Sequence, residues 1–255
     1  MKLKYAGVTH VGMKRDHNED NLLLLPEHNL FVVADGIGGH SCGEVASQIA
    51  VDTLRAFYTD TATDPDATWP YKPDKSLPVE ESRLSAGVRL ANRTIHETGK
   101  SDPRFDKMGT TFVGFAFHEE KAIVAHVGDS RCYRFSQGKL TQVTEDHTLL
   151  NDYKRLQALT EEEEAAFQYK NVIVRALGMK DSVVVDLNRV TPAPGDILLL
   201  CSDGLHGEVT DPNIQATVEK FKDDLQGGVD SLIKQACDNG GKDNVTVVLV
   251  RYDGV

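Results

Sequence analysis

Five places in this chain deliver an acid to the end of an apolar run. Asp35 follows "FVVA" and opens onto "GIGGH". Asp129 follows "AIVAHVG", and Asp203 follows "DILLLCS". Asp243 precedes "NVTVVLV", and the pair Glu19 and Asp20 precedes "NLLLL". Glycine or asparagine stands beside them. One Asp-Gly after a strand ordinarily makes a turn. A pattern repeated at several strand ends points instead to a shared centre, because strand termini hold side chains in fixed geometry. Carboxylates gathered in one place repel one another and need a counter-charge. An all-oxygen donor set, without cysteine or paired histidine, suits a hard cation such as Mg²⁺ or Mn²⁺. On this reading Asp35 bridges two ions, and the bare Gly36 offers its carbonyl to one of them.

The acids need strands and helices to position them. Apolar patterning predicts strands over 3–11, 21–25, 30–34, 110–117, 121–127, 131–136, 183–190, 196–201 and 245–251. Short turns such as "PEHN" and "SQGK" suit antiparallel hairpins. Ser41 and Glu44 form a capping-box pattern. After it, Ala46, Ile49, Ala50, Leu54 and Phe57 fall on one helical face. Further helices fit 79–98, 212–221 and 225–239, and a short one starts at Thr160. Residues 59–78 hold four of the nine prolines and read as a surface loop rather than a domain boundary. The expected architecture is α+β in a single domain over 1–255, with helices packed outside antiparallel sheets.

At 255 residues the chain can bury a sizeable core. Its net charge of -11 argues against general binding to nucleic acid or an anionic membrane, which both need a positive footprint. The four cysteines, Cys42, Cys132, Cys201 and Cys237, form no CxxC pair, so neither a structural zinc site nor a disulfide framework is expected. No secretory signal and no membrane-length apolar run is visible, which reads as a cytoplasmic protein. "GIGGHSCG" is not GxGxxG, since Ser41 stands where the third glycine belongs. No phosphate loop of the GxxxxGK[ST] type, no GxSxG and no HExxH occurs.

Eight segments occur in register: "RDHNEDN", "VVADGIGGH", "GTTF", "AHVGDSRCYRF", "TEDHT", "VIVRALG", "LLLCSDGL" and "GGKDNVTVVLV". Together they resemble the bacterial metal-dependent serine/threonine protein phosphatases, the protein phosphatase 2C-like (PPM) family. The resemblance runs from about Gly7 to Arg251. It implies a four-layer α-β-β-α sandwich of two mostly antiparallel sheets flanked by helices, with a binuclear Mn²⁺ or Mg²⁺ centre at one end. It also implies phosphoserine or phosphothreonine hydrolysis by direct attack of a metal-bridging water. By motif, Asp35 matches the bridging carboxylate and Gly36 the backbone-carbonyl ligand. Asp203 and Asp243 match ligands of the second metal, and Glu19 holds that site directly or through water. Asp20 stands behind it. Asp129, with Asp203, matches the holder of a third, weaker metal. Arg15 matches the arginine that receives the substrate phosphate, and Asn244 orients a ligand or a bound water. The implied partners are phosphorylated proteins and a serine/threonine kinase, for a chain acting as a monomer.

The chain departs from eukaryotic relatives after the Asp-Gly, where Ile37 replaces a histidine proposed as general acid. His40 reads as packing or capping the following helix, and His147 as tying down a loop. Residues 148–172 fall where bacterial relatives carry a flap, expected to influence substrate choice. Two other readings start from the same residues. One is a phosphatase-like binding module without turnover, which the intact acid set disfavours. The other is a hydrolase of small phosphate esters, which the metal chemistry allows.

Overall fold

The computed structural model describes residues 1–38, 42–63, 69, 71, 76–157, 159–170 and 172–254. The expected roles of Ser41 and His40 lie outside the described residues, as does half of the 59–78 loop.

Two sheets form the middle of the molecule. One contains β1 (Leu3–His10), β7 (Arg131–Ser136), β8 (Lys139–Gln142), β10 (Ile197–Cys201) and β11 (Val245–Tyr252), in the order β1-β11-β10-β7-β8. The other contains β2 (Asp20–Leu25), β3 (Leu30–Ile37), β5 (Phe112–His118), β6 (Lys121–Val127) and β9 (Asp186–Val190), in the order β2-β3-β5-β6-β9, with β4 (Gly109–Thr110) paired to the end of β3. All of these pairings are antiparallel.

The period of two along β3 explains the layering. Phe31 and Val33 face the other sheet, where they meet Leu198, Leu200, Val248 and Val250. Leu30, Val32 and Ala34 face the opposite way, onto α1 (Cys42–Thr63) and α2 (Val79–Ser101). Both faces are buried, so β3 reads as an unbroken apolar run. On the far side, Leu199, Val247 and Leu249 pack under α6 (Asp211–Lys220) and α7 (Leu225–Asp238). Three apolar layers thus separate four structural layers, which is the α-β-β-α sandwich.

The sequence-predicted helical face of α1 is the buried one: Ala46, Ala50 and Leu54 are fully enclosed. So are Leu84, Val88, Ala91 and Ile95 of α2. Helix α1 continues to Thr63, so the first part of the predicted loop is helical. The predicted strand over 183–190 is shorter and begins at Asp186. Three elements escape the apolar pattern. β8 is a half-exposed hairpin partner of β7, reached through a turn with positive φ at Gln137 and Gly138. α3 (Leu149–Leu156) buries no residue completely, and α5 (Asp203–His206) is a single turn. The short helix predicted after Thr160 is α4 (Glu161–Ala166). Thr160 and Glu163 close a reciprocal capping box.

Candidate metal centre

One edge of the sandwich collects the strand-end acids. β2 begins and β3 ends there, and the register sets Asp20 opposite Asp35. β10 ends at Cys201, so Asp203 follows at the start of α5. Asp243 and Asn244 come just before β11. β6 stops at Val127, and Gly128 (φ 112°) turns the chain into Asp129.

Glycines let these ends approach. A Cβ on Gly36 would lie 2.2 Å from the Gly43 carbonyl oxygen, and one on Gly204 would lie 1.9 Å from that of Asn244. No side chain fits at either position. This is the physical reason a core strand ends on Asp35 and then drops its side chain: the N-terminal turn of α1 and the 18–20 segment press on Gly36. Gly36 N donates to the Glu19 carbonyl at 3.1 Å.

The acids interact strongly. Burial, and then the charges of Asp20, Asp203, Asp129 and Asp243, push the Asp35 carboxyl well above the usual carboxylate range. Burial and Asp243 raise Asp203, against a hydrogen bond with Asp35. Burial, and then the neighbouring Asp203 and Asp146, raise Asp129 to about 7. Burial raises Glu19, opposed by a hydrogen bond from the Gly43 backbone and by Arg15. Arg15 Nη2 donates to Asp243 Oδ2 at 2.7 Å, which together with the other acids holds the guanidinium protonated.

Asp20 is almost fully buried, and burial pushes it to about 7 against two hydroxyl donors. Ser202 Oγ and Thr246 Oγ1 each donate to its Oδ2 at 2.7 Å. Thr9 and Asn18 extend the chain: Asn18 Nδ2 donates to Thr9 Oγ1, which lies 2.7 Å from Thr246 Oγ1. Asp20 on β2 is thereby fastened to the opposite sheet. Two oxygens, Asp20 Oδ1 and Asp129 Oδ1, are buried without a hydrogen-bond partner. Orphaned buried acceptors in an all-oxygen, mutually repelling set fit a hard cation, which would supply the missing contact.

Asn244 has a larger part than the sequence suggests. Its Oδ1 accepts from Glu19 N at 2.8 Å, and its Nδ2 donates to the carbonyls of Val11 and His17, each at 2.9 Å. It therefore staples the 11–19 loop, with Arg15 and Glu19, to β11. Asn244, expected to orient a ligand or a bound water, spends its side chain on the backbone of the loop that carries Glu19. The hydroxyls around Asp35 were also missed. Thr111 Oγ1 accepts from Asp35 N at 3.1 Å, and Thr110 Oγ1 donates to Asp35 O at 2.8 Å. "GTTF" carried the signal, since adjacent threonines on a strand project to opposite faces. Ile37 ends β3 opposite Gly109 and brings no titratable group.

Among the described residues, a separate group could also offer metal ligands: His126, His147 and Asp186. A cation already stands there. Arg175 Nη1 lies 2.6 Å from Asp186 Oδ1 and 3.1 Å from His147 Nε2. His147 Nδ1 accepts from Gly128 N at 3.0 Å, so its proton sits on Nε2, facing Asp186 Oδ2 at 3.2 Å. His126 stacks on it at 4.5 Å. Burial, and then His126, hold the His147 imidazole down at about 4. The group is a latch. Leu149 N bonds Val172 O and Val174 N bonds His147 O, so both legs of the 148–172 segment meet at it. His147 ties down a loop, as expected.

A profile of the protein phosphatase 2C family matches residues 7–242. The chain belongs to the protein phosphatase 2C family. The serine/threonine phosphatase stp of Listeria monocytogenes is 34% identical over 250 residues, covering 96% of this chain and 94% of that protein. Among solved structures, the Mycobacterium tuberculosis serine/threonine phosphatase PstP/Ppp superposes with a TM-score of 0.84 at 32% identity, covering 98% of this chain and 99% of that one. A structure of the PstP catalytic domain in complex with 2 manganese ions matches with a TM-score of 0.80 and 32% identity, covering 98% and 97%. This protein phosphatase 2C chain therefore carries a metal-dependent phosphatase fold along nearly its whole length. No helix among the described residues is long and apolar enough to cross a membrane.

Proposed function

We propose that this chain is a single-domain, metal-dependent protein phosphatase that hydrolyses phosphoserine and phosphothreonine in other proteins. The convergence of six strand-end acids at one edge, with Arg15 reaching into them, carries the reading. Asp35, Asp203, Asp243, Glu19 and the Gly36 carbonyl would hold two Mn²⁺ or Mg²⁺ ions, and Asp129 with Asp203 would hold a third, weaker one. Bound there, such ions lower the pKa of water and clamp phosphoryl oxygens.

The chain's own residues do the rest. Asp35 anchors the centre from the end of a strand buried on both faces. Arg15, half-exposed at the rim, offers a planar fork matched to phosphate oxygens. Substrate phosphate replaces Asp243 as its partner. Ser202 and Thr246 spend their hydroxyls on Asp20, so they do not act as nucleophiles. Water attacks phosphorus, the P–O bond to the serine or threonine oxygen breaks, and no phosphoenzyme forms. Ile37 has no proton to give, so the proton that the leaving oxygen takes up comes from elsewhere than this position.

The partner is a serine/threonine kinase whose products this chain reverses, with the chain acting as a monomer in the cytoplasm. Cys42, Cys132, Cys201 and Cys237 are present as thiols, which suit a reducing compartment. Phosphate release from a phosphothreonine peptide tests the function, with Mn²⁺, with Mg²⁺ and with EDTA. Release with a divalent ion and none with EDTA is expected. No release under any metal from folded protein would leave the binding-module reading.

Asn244→Ala removes three hydrogen bonds to the Arg15/Glu19 loop. Partners behind metal ligands typically contribute about 10–100-fold in affinity or activity. We expect the Mn²⁺ concentration for half-maximal rate to rise by about that factor, with the rate at saturating Mn²⁺ less affected. An unchanged Mn²⁺ titration would show that the loop holds its place without Asn244.

A further inference from the structure

A cavity of about 670 Å³ runs from the candidate metal centre to the 148–172 segment. Asp129, Asp203 and His206 line its inner end. Asn151, Lys154, Glu164 and Lys170 line its outer wall. Its volume lies within the roughly 300–1,000 Å³ typical of ligand sites. Asp129 and Asp203 line it, so it adjoins the candidate reaction centre.

The charges in the cavity are nearly all spoken for. Arg131 makes a bidentate pair with Asp146, at 3.0 and 2.7 Å. Lys154 Nζ sits 2.8 Å from Glu164 Oε1, bridging α3 to α4. Arg155 Nε donates to Glu145 Oε1 at 3.1 Å. His206 gives its Nε2 proton to the Asp129 carbonyl at 3.1 Å. Asp129 and Asp203 belong to the candidate metal centre. Lys170 is left over: it is exposed and makes no ion pair among the described residues.

We propose that this cavity is the subsite for the polypeptide flanking the phosphorylated residue, and that Lys170 selects an acidic group there. The inference rests on the phosphatase reading. The ligand chemistry is an anionic side chain, either a carboxylate or a second phosphate. The walls are polar and hydrogen-bonded, so an apolar flank would strip water from Asn151, Lys154 and Glu164 without replacing their partners. A carboxylate instead meets the one uncompensated cation. The Lys154–Glu164 bridge keeps α3 and α4 together behind it, so Lys170 is presented from a braced wall.

The test uses the full chain and a series of phosphothreonine peptides. Each position from three before to three after the phosphothreonine carries Glu, phosphoserine, Ala or Lys in turn. The wild type should favour Glu or phosphoserine over Lys at one position by about five- to tenfold in kcat/KM. Lys170→Glu should invert that preference at the same position. Its rate on p-nitrophenyl phosphate, which has no flanking chain, should stay within twofold of wild type. The Glu and phosphoserine series separate the two sources of the anion. An acidic preference that persists unchanged in Lys170→Glu, or no preference at any position, would overturn the assignment. Absence of p-nitrophenyl phosphate and peptide turnover in the wild type would count against the phosphatase reading itself and be seen as such.

Discussion

Asp35→Asn should abolish metal-dependent phosphate release and, at the same time, make the metal-free protein melt at a higher temperature. The two effects share one cause. Asp35 stands at the focus of four other aspartates, and burial plus their charges push its carboxyl well above the usual range. A protein that keeps such a group loses stability to hold it, as sites that bind cations commonly do. Asparagine has nearly the same shape and no charge, so the repulsion falls while the hydrogen bonds of Asp35's backbone to Thr110 and Thr111 remain. Loss of one preorganised charge-stabilising group costs on the order of 100–1,000-fold in rate. Loss of the carboxylate at the centre of the acid cluster should reach the upper end or exceed it. In EDTA, each kcal/mol regained should raise the melting temperature by about 2–4 °C for a chain of this size. The checks are a malachite-green assay with Mn²⁺ and a thermal melt with EDTA. Lost activity with an unchanged or lower melting temperature would mean that Asp35 is not under electrostatic strain.

The second large effect is the pH dependence of what a metal does for stability. Two sets of groups act with opposite sign. Asp20 and Asp129 are raised to about 7, and Asp35, Asp203 and Glu19 are raised as well. The unfolded chain releases these protons near the ordinary value of about 4. Between about 4 and 7 the metal-free folded state therefore holds more protons than the unfolded one. Its stability from this source falls as pH rises through that window. His147 and His206 are held down at about 4, and His126 is lowered. The unfolded chain protonates its histidines below about 6.5, before the folded one does. Their contribution is complete above about 6.5 and is lost as pH falls toward 4.

A bound cation removes the first effect and leaves the second. With Mn²⁺ the melting temperature should therefore drop on acidification. With EDTA the profile should be flatter, because the carboxylates oppose the histidines. The gain produced by Mn²⁺ should grow steadily from pH 5 to pH 7.5. Differential scanning fluorimetry across that range, with each additive, reads it directly. A Mn²⁺ increment that does not change with pH would show that the acids are already ionised without metal.

Much of the fold was legible because burial writes itself into sequence at a fixed period. β3, β5, β6, β10 and β11 are buried on both faces and read as apolar runs. The inward faces of α1, α2, α6 and α7 follow a helical repeat. The elements that were missed have little burial to announce them. β8 is a half-exposed edge strand, α3 packs no side chain completely, and α5 is one turn. The 183–190 strand was overextended because Val183 and Val185 pack against the α1–α2 core without joining a ladder.

The sequence by itself picked out the acids that the structure brings together at one edge. An aspartate beside glycine or asparagine at the end of an apolar run is a local pattern, and its recurrence does not need coordinates. It also determined the family, since eight motifs stand in order. Only the tertiary structure decided what those acids experience. The pairing of Asp20 with Asp35, the hydroxyls of Ser202 and Thr246 on Asp20, and the grip of Asn244 on the Arg15 loop join residues more than 180 positions apart in two of three cases. The cavity that leaves Lys170 as the unpaired cation is likewise assembled from Asp129, β7, β8, α5 and the 148–172 segment. Charge repulsion and burial depend on distance and on excluded water, and those exist only once the two sheets have closed on each other.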